Sequence, residues 1–357
     1  MKKNRFGMKR YVSVSEIKNV IALFVYFNIM WILFGWTRDT PDYNNYYIRF
    51  LYGTTEFGEQ GFNQLISFIK NLGISEFQDF IKIISFIFLF FLFGVIRKYS
   101  LKSNYVLFLF FLYPFFSFCS GLRFTLSVLF IVIAIFIYMS EIKHNTIYYL
   151  ILILVASSFH YLALFFLVLL LGKIPIKQQQ HIIAVCVMSV ILAALTYTPF
   201  YSIILHVISD GSEKISANIA AHSRLGFILP IGFQIISFLI FKYAYDNTRE
   251  KSSTLLINSE MLFKLNICEL YVIPFYFINM LFMRLYMPFM LINTIFYSEV
   301  IFSSNFDKAF RMKLRMFNFG QYFYLFITQV AVKESVWRPF LENNEILTPI
   351  MNFFHIL

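Results

Sequence analysis

The sequence predicts an all-α, polytopic membrane protein with about eleven transmembrane helices, in a range of about ten to twelve. Three observations carry that prediction. Hydrophobic residues make up 59% of the 357-residue chain and charged residues only 14%, with a mean hydropathy of +0.69, which no ordinary soluble domain shows. Apolar stretches of bilayer-spanning length follow one another along the whole chain. The net charge of +11 is gathered in the short loops between them, where Lys and Arg fix orientation. That placement excludes nucleic acid as the reason for the basicity. Cys119, Cys186 and Cys268 are isolated in or beside apolar runs, so neither a disulfide framework nor a zinc site is expected.

The N-terminal segment carries Lys2, Lys3, Arg5, Lys9, Arg10 and Lys18, and the apolar run from about Ile17 to Trp36 follows directly. The run is too long for a signal peptide and ends without a small-residue cleavage site. It reads as a first span with a cytoplasmic N-terminus in a bacterial inner membrane. The polar segment 37–79 should lie outside, with an amphipathic stretch, Phe62 to Leu72, resting on the membrane surface. Span two covers about Phe80 to Ile96, and span three about Tyr105 to Phe118. There Gly121 is expected as a break, and Ser120 as the N-cap of a fourth helix that carries Arg123 in its first turn and runs to about Tyr138.

Charge decides the path of the next segment. Thr146 to Gly172 is apolar except for Ser157-Ser158-Phe159-His160 at its middle, and it is long for one crossing and short for two. A single crossing would put the later basic loops, around Arg249 and from Lys308 to Arg315, outside. Two short or broken helices meeting at His160 keep them all inside. Spans follow at about Ile182 to Phe200 and Gly226 to Tyr243, with an outer loop, 201–225, between them. The apolar run from Met261 to Phe302 needs a tight outer turn near Asn279 to Arg284, with Pro288 suited to the first turns of the next helix. A last span, about Phe319 to Val332, leaves Lys333 to Leu357 outside. One membrane domain thus covers 1–340, and 341–357 form an aromatic-rich outer tail.

With this topology the cytoplasmic side is dominated by lysine, whereas the outer side holds Arg38, Arg49, Arg123, Arg224, Arg284 and Arg338. Lysine suffices to set topology; arginine is preferred where phosphate or carboxylate is gripped at two points. Arg123 and Arg284 each follow an outer turn beside a small polar residue, Ser120 and Asn279. A cation near a helix N-terminus makes sense when both face a shared anion. A lone arginine there could also snorkel to headgroups. His160, the one histidine in a membrane-depth outer turn, should be held neutral by a helix N-terminus and nearby arginines, the state required of a proton acceptor. Asp42, Tyr43, Tyr46, Tyr47 and Arg49 make a polar and aromatic patch suited to sugar hydroxyls and ring faces, and equally to an interfacial belt. Glu59 is a further sugar contact or an alternative base.

The order of these pieces resembles the Wzy-type polymerases of O-antigen, capsule and exopolysaccharide, in particular the EpsG-like branch. The resemblance rests on Asp42-Tyr43 with Tyr46-Tyr47, Glu59-Gln60-Gly61-Phe62, Ser120-Gly121-Leu122-Arg123, the run from Ser157 through His160 to Leu164, and Arg284-Leu285-Tyr286. Phe124 stands where the family often has Gln, and Gln60 where it often has Pro. The resemblance implies a glycosyltransferase that joins oligosaccharide repeat units carried on undecaprenyl pyrophosphate at the outer face of the membrane, without a cofactor or metal. It implies Arg123 and Arg284 on the pyrophosphate and His160 as base or acceptor-positioning group. Asp42, Tyr43, Tyr46, Arg49, Glu59, Ser120 and Arg224 are then expected at the substrate. Membrane lipid, a chain-length regulator and a flippase of the same pathway are the expected partners. Two other classes fit the residues: a lipid-linked oligosaccharide flippase, which would need its cations in a central cavity, and a membrane acyltransferase, which would take its donor from the lysine-rich side.

Overall fold

The computed structural model describes residues 14–53, 60–196, 226–250 and 255–353. Among the described residues the chain is helical throughout, and its one β-bridge is an isolated pair, Thr37 with Asn344. The helices are α1 (Val14–Gly35), α2 (Tyr43–Tyr52), α3 (Gln60–Asn71), α4 (Phe77–Tyr99), α5 (Ser103–Leu112), α6 (Phe115–Ser120), α7 (Leu122–Met139), α8 (Asn145–Phe159) and α9 (Gln178–Thr196). After them come α10 (Ile228–Thr248), α11 (Ser259–Glu269), α12 (Met287–Phe302), α13 (Lys308–Leu325), α14 (Glu334–Glu342) and α15 (Leu347–Phe353). Among the described residues, three 3₁₀ segments, η1 (Tyr161–Lys173), η2 (Leu270–Phe277) and η3 (Met280–Tyr286), and a π-helical turn (Phe326–Ala331) that continues α13 complete the set.

The expected passes are α1, α4, α5 with α6, α7, α8, η1, α9, α10, α11 with η2, η3 with α12, and α13. Among the described residues, five stretches are long and apolar enough to cross on their own: α4, α7, α9, α10 and Leu281–Phe302. The segment centred on His160 is a hairpin of two short helices, as its polarity pattern predicts. Lys173 at the end of η1 returns to the start of α8, donating to Asn145 Oδ1 (2.6 Å) and Thr146 Oγ1 (2.9 Å). Winding as a 3₁₀ helix lets η1 cover, at about 2 Å per residue, the length that an α-helix would need about four more residues to span.

Three local expectations are corrected. The third span is not one helix: Pro114, which lacks an N–H and cannot continue the ladder, separates α5 from α6. Ser120 does not cap α7. It ends α6 and donates to Phe116 O (3.4 Å), while Gly121 takes the cap position and Thr125 Oγ1 donates to Phe118 O (2.7 Å) across the break. The last long helix starts at Lys308 rather than Phe319, because Asp307 Oδ2 accepts from Ala309 N (2.8 Å) and Phe310 N (3.1 Å) as an N-cap. Its first turns therefore carry the basic residues assigned to a loop.

The centre of the bundle is α12, buried along nearly its whole length, with α7 beside it. Several polar side chains within this core are paired with one another. Asn266 and Asn293 exchange side-chain hydrogen bonds (3.0 and 2.8 Å), Asn318 donates to Tyr105 Oη (3.0 Å), and Gln234 donates to the buried Glu269 carboxylate. In a membrane interior such pairs fix helix register, since an unmet polar group finds no water there. At the end bearing the His160 turn, α14 and α15 fold back over the end of α1. Arg38 and Lys82 both pair with Glu345, Asn344 Nδ2 donates to Thr37 Oγ1 (2.9 Å), and Phe340 packs edge-on against Phe116 at 5.0 Å.

Candidate active site

Two helical turns built alike meet at one end of the bundle. In the first, the His160 side chain caps η1: Nδ1 accepts from Leu162 N (3.3 Å). In the second, Asn279 caps η3 in the same register, its Oδ1 accepting from Leu281 N (2.8 Å). Both capping residues have extended backbone, and a 3₁₀ segment leaves each of them. The hairpins pack through Phe165 and Phe275, ring centroids 5.7 Å apart. The second turn sends Arg284 toward the first, and the short break between α6 and α7 supplies Arg123 in the first turn of α7.

The result is a histidine under two positive charges. His160 stands in the turn between α8 and η1, in neither helix, and its ring is half-buried with Phe124 edge-on at 5.6 Å and Tyr161 stacked at 5.3 Å. Burial, then Arg123, then Arg284 push its pKa down from 6.5 to about 3, because each disfavours a charged imidazolium. The ring is therefore neutral at pH 7. Since Nδ1 accepts the Leu162 N–H, the proton of the neutral ring is assigned to Nε2, which is then the ring's donor.

The two guanidiniums are held differently. Arg123 lies over the Tyr46 ring, 5.5 Å from its centroid, and Tyr46 is in turn buried against Phe62 of α3. Arg284 makes no ion pair among the described residues, and its charge also acts on Tyr113 and on Lys333. A half-buried arginine with no carboxylate is a ready partner for an anion.

The first outer segment reaches the same place. A Cβ on Gly61 would stand 2.2 Å from Ser158 Oγ and 3.1 Å from Ser158 C, so only glycine lets the start of α3 lie directly on the His160 turn. Glu59, two residues earlier, lies outside the described residues, as does Arg224.

Other expected site residues are placed as follows. Asp42 precedes α2 at its N-cap position. Tyr43 donates to Gln78 Oε1 (3.0 Å) and, with Tyr46 and Ser120, lines a narrow cavity of about 10 Å³ beneath Arg123's end of the bundle. Arg49 is buried between α2 and α3, its Nε donating to Asn63 Oδ1 (3.0 Å) and its guanidinium over Phe62 at 5.5 Å. Of the arginines that the lysine and arginine asymmetry singled out, Arg38 is engaged by Glu345, and Arg338 by Glu334 and Glu342. Arg123 and Arg284 are the two whose charge reaches His160. Sequence reasoning missed the role of Phe124, which reads as a departure from a motif and in the fold walls the imidazole. It also missed the cap made by Asn279, for which Asn before an apolar helix is the available signal.

No curated protein and no solved structure matches this chain. The EpsG family matches residues 20–341, from the first span through both turns to α14, and so includes every described residue of the constellation around His160. By this near full-length match the chain belongs to the EpsG family, a Wzy-type polymerase family of multi-pass membrane proteins.

Proposed function

We propose that the protein polymerises surface polysaccharide by joining undecaprenyl-pyrophosphate-linked oligosaccharide repeat units at the outer face of the bacterial cytoplasmic membrane, with its N-terminus in the cytoplasm. The observation that carries this reading is the convergence of two guanidinium charges, Arg123 and Arg284, on one neutral histidine. A pyrophosphate leaving group needs cations that meet the charge growing on it as its bond to the anomeric carbon breaks. In the proposed step the acceptor hydroxyl oxygen bonds to that carbon, the pyrophosphate leaves with the bonding pair, and the hydroxyl proton passes to a base. No nucleotide sugar, metal or cofactor takes part.

The tautomer of His160 refines its role. With Nδ1 engaged by Leu162 N–H, the ring offers Nε2–H, which positions a phosphate or acceptor oxygen as a donor and does not take up a proton. The acceptor's proton then goes to a carboxylate of the first outer segment, Glu59 or Asp42, with Tyr43, Tyr46, Ser120 and Arg224 around the sugars. Arg49, packed into α3, holds that segment's shape. Coupling to a flippase and a chain-length regulator belongs to the same reading.

The test is turnover in nanodiscs of purified protein supplied with lipid-linked repeat units, with chain length read on a gel. A ladder of products supports a polymerase. Movement of intact donor across the bilayer with no ladder would replace this reading with a flippase.

A further inference from the structure

The bundle end opposite His160 carries a second opening. A cleft of about 330 Å³ lies between the loop after η1, the start of α9 and one face of α11, in the volume range of small-ligand sites. Lys173 and Lys264 stand at its rim, His181 sits on its floor, and Ile174, Met261 and Ile267 supply apolar wall.

The cations there are arranged for an anion that is not part of the chain. Lys173 is fixed by neutral groups alone: Asn145 Oδ1, Thr146 Oγ1 and the Tyr138 ring, 4.2 Å from the ammonium. No carboxylate pairs with it among the described residues. Lys264 meets Glu260 (2.9 Å) in an exposed pair one helical turn apart, a contact that holds weakly. The buried His181 ring is pinned by Tyr271 Oη at 3.2 Å from Nδ1.

The apolar surface that continues from the cleft says what carries the anion. Helix α9 starts at its edge and leaves Ile183, Val187, Val190 and Ile191 exposed along its length, a strip that fits acyl chains and not a soluble ligand. We infer that this cleft binds the phosphodiester headgroup of an anionic phospholipid, with Lys173 and Lys264 on the phosphate and the acyl chains lying along α9. Basic pockets between membrane helices at the lysine-rich side take such headgroups.

The experiment uses the full chain, delipidated in detergent and titrated with dioleoyl phosphatidylglycerol or dioleoyl phosphatidylcholine, with bound lipid counted by native mass spectrometry. The anionic lipid should bind about 25-fold more tightly, and Lys173→Gln with Lys264→Gln should remove about fivefold per lysine. Lys313→Gln, on exposed α13 away from the cleft, should change nothing. Should the double variant not fold, Lys264→Glu alone should still abolish the preference. Equal affinity for the two lipids, a preference that survives the double variant, or full displacement by excess inorganic phosphate at fixed ionic strength would each overturn the proposal, the last by assigning the cleft to soluble phosphate.

Discussion

The two ends of the helical bundle hold their cations in different ways. At one end Arg123 and Arg284 are half-buried, one against an aromatic ring and the other without an ion pair among the described residues, and both charges fall on a neutral histidine that caps a helix. At the other end the cations are mainly lysines, exposed and either solvated, held by neutral groups as Lys173 is, or weakly paired on their own helix as Lys264 is. The first arrangement is preorganised: moving any one member changes the field on the others. The second is a set of independent hydrated charges, sufficient to orient the chain and to attract a headgroup. Substitutions at the two ends should therefore differ in size and in kind.

The largest effects belong to the arginines. Arg284→Ala or Arg123→Ala should each lower polymerisation about a hundredfold or more, the order expected when a charge-assisted contact to a leaving group is lost. Protein abundance in the membrane should stay unchanged, which immunoblotting checks. Normal ladders from Arg284→Ala would remove the second turn from the site.

His160 comes next and separates capping from chemistry. Asn keeps an acceptor for the Leu162 N–H, as Asn279 does for Leu281, but carries no Nε2–H at the same reach. His160→Asn should therefore preserve thermal stability and still lose about tenfold or more in turnover, whereas His160→Ala should lose both. Full activity in the Asn variant would leave the histidine a cap and nothing more.

The pH dependence of kcat/KM sharpens the same point. A pKa lowered to about 3 means that the free enzyme's ring is neutral at every working pH, so no acidic limb near 6.5 should come from His160. When a pyrophosphate offsets the two arginines, their part of the depression is relieved while that of burial stays, and the ring's pKa rises. The kcat profile should accordingly show its histidine limb at higher pH than the kcat/KM profile, and His160→Asn should erase it. A histidine limb at the ordinary value in kcat/KM would show that the arginines do not act on the ring.

A smaller effect tests the close approach of α3. Gly61→Ala places a methyl against Ser158 and should cost about 1 to 3 kcal/mol of stability. Adding Ser158→Gly should return much of it, since two of the three nearest atoms then leave. Smallest of all, Glu345→Gln, which removes an exposed tie between the tail and Arg38, should cost under about 1 kcal/mol.

How far the sequence foretold this depends on the range of the interaction. His160, Arg123 and Arg284 stand out because each is a polar residue set in an apolar run, and a bilayer permits few of those without a reason. The hairpin at 146–172 followed from charge alone. Arg38 and Arg49 have partners that no local pattern announces: Arg38 finds Glu345 from the far end of the chain, and Arg49 meets Asn63 on the neighbouring helix α3, whereas Arg338 pairs with Glu334 and Glu342 one turn away on its own helix. The break at Pro114 was signalled by the proline and passed over in favour of length. Glu269 and Gln234, a hydrogen-bonded pair in the core, were hidden inside stretches read as uniformly apolar, and only the fold shows that each answers the other.

The central claim is that Arg123 grips a leaving group at two points. Arg123→Lys keeps the charge, the position in the first turn of α7 and the ability to reach the interface, and removes only the planar fork. Its turnover of purified lipid-linked repeat units in nanodiscs, beside wild type and Lys313→Arg at the opposite end, is the most direct test. The account predicts that Arg123→Lys fails by about a hundredfold, nearly as badly as Arg123→Ala, while Lys313→Arg polymerises normally. Ladders from Arg123→Lys within a few-fold of wild type would contradict it and leave Arg123 a snorkelling cation.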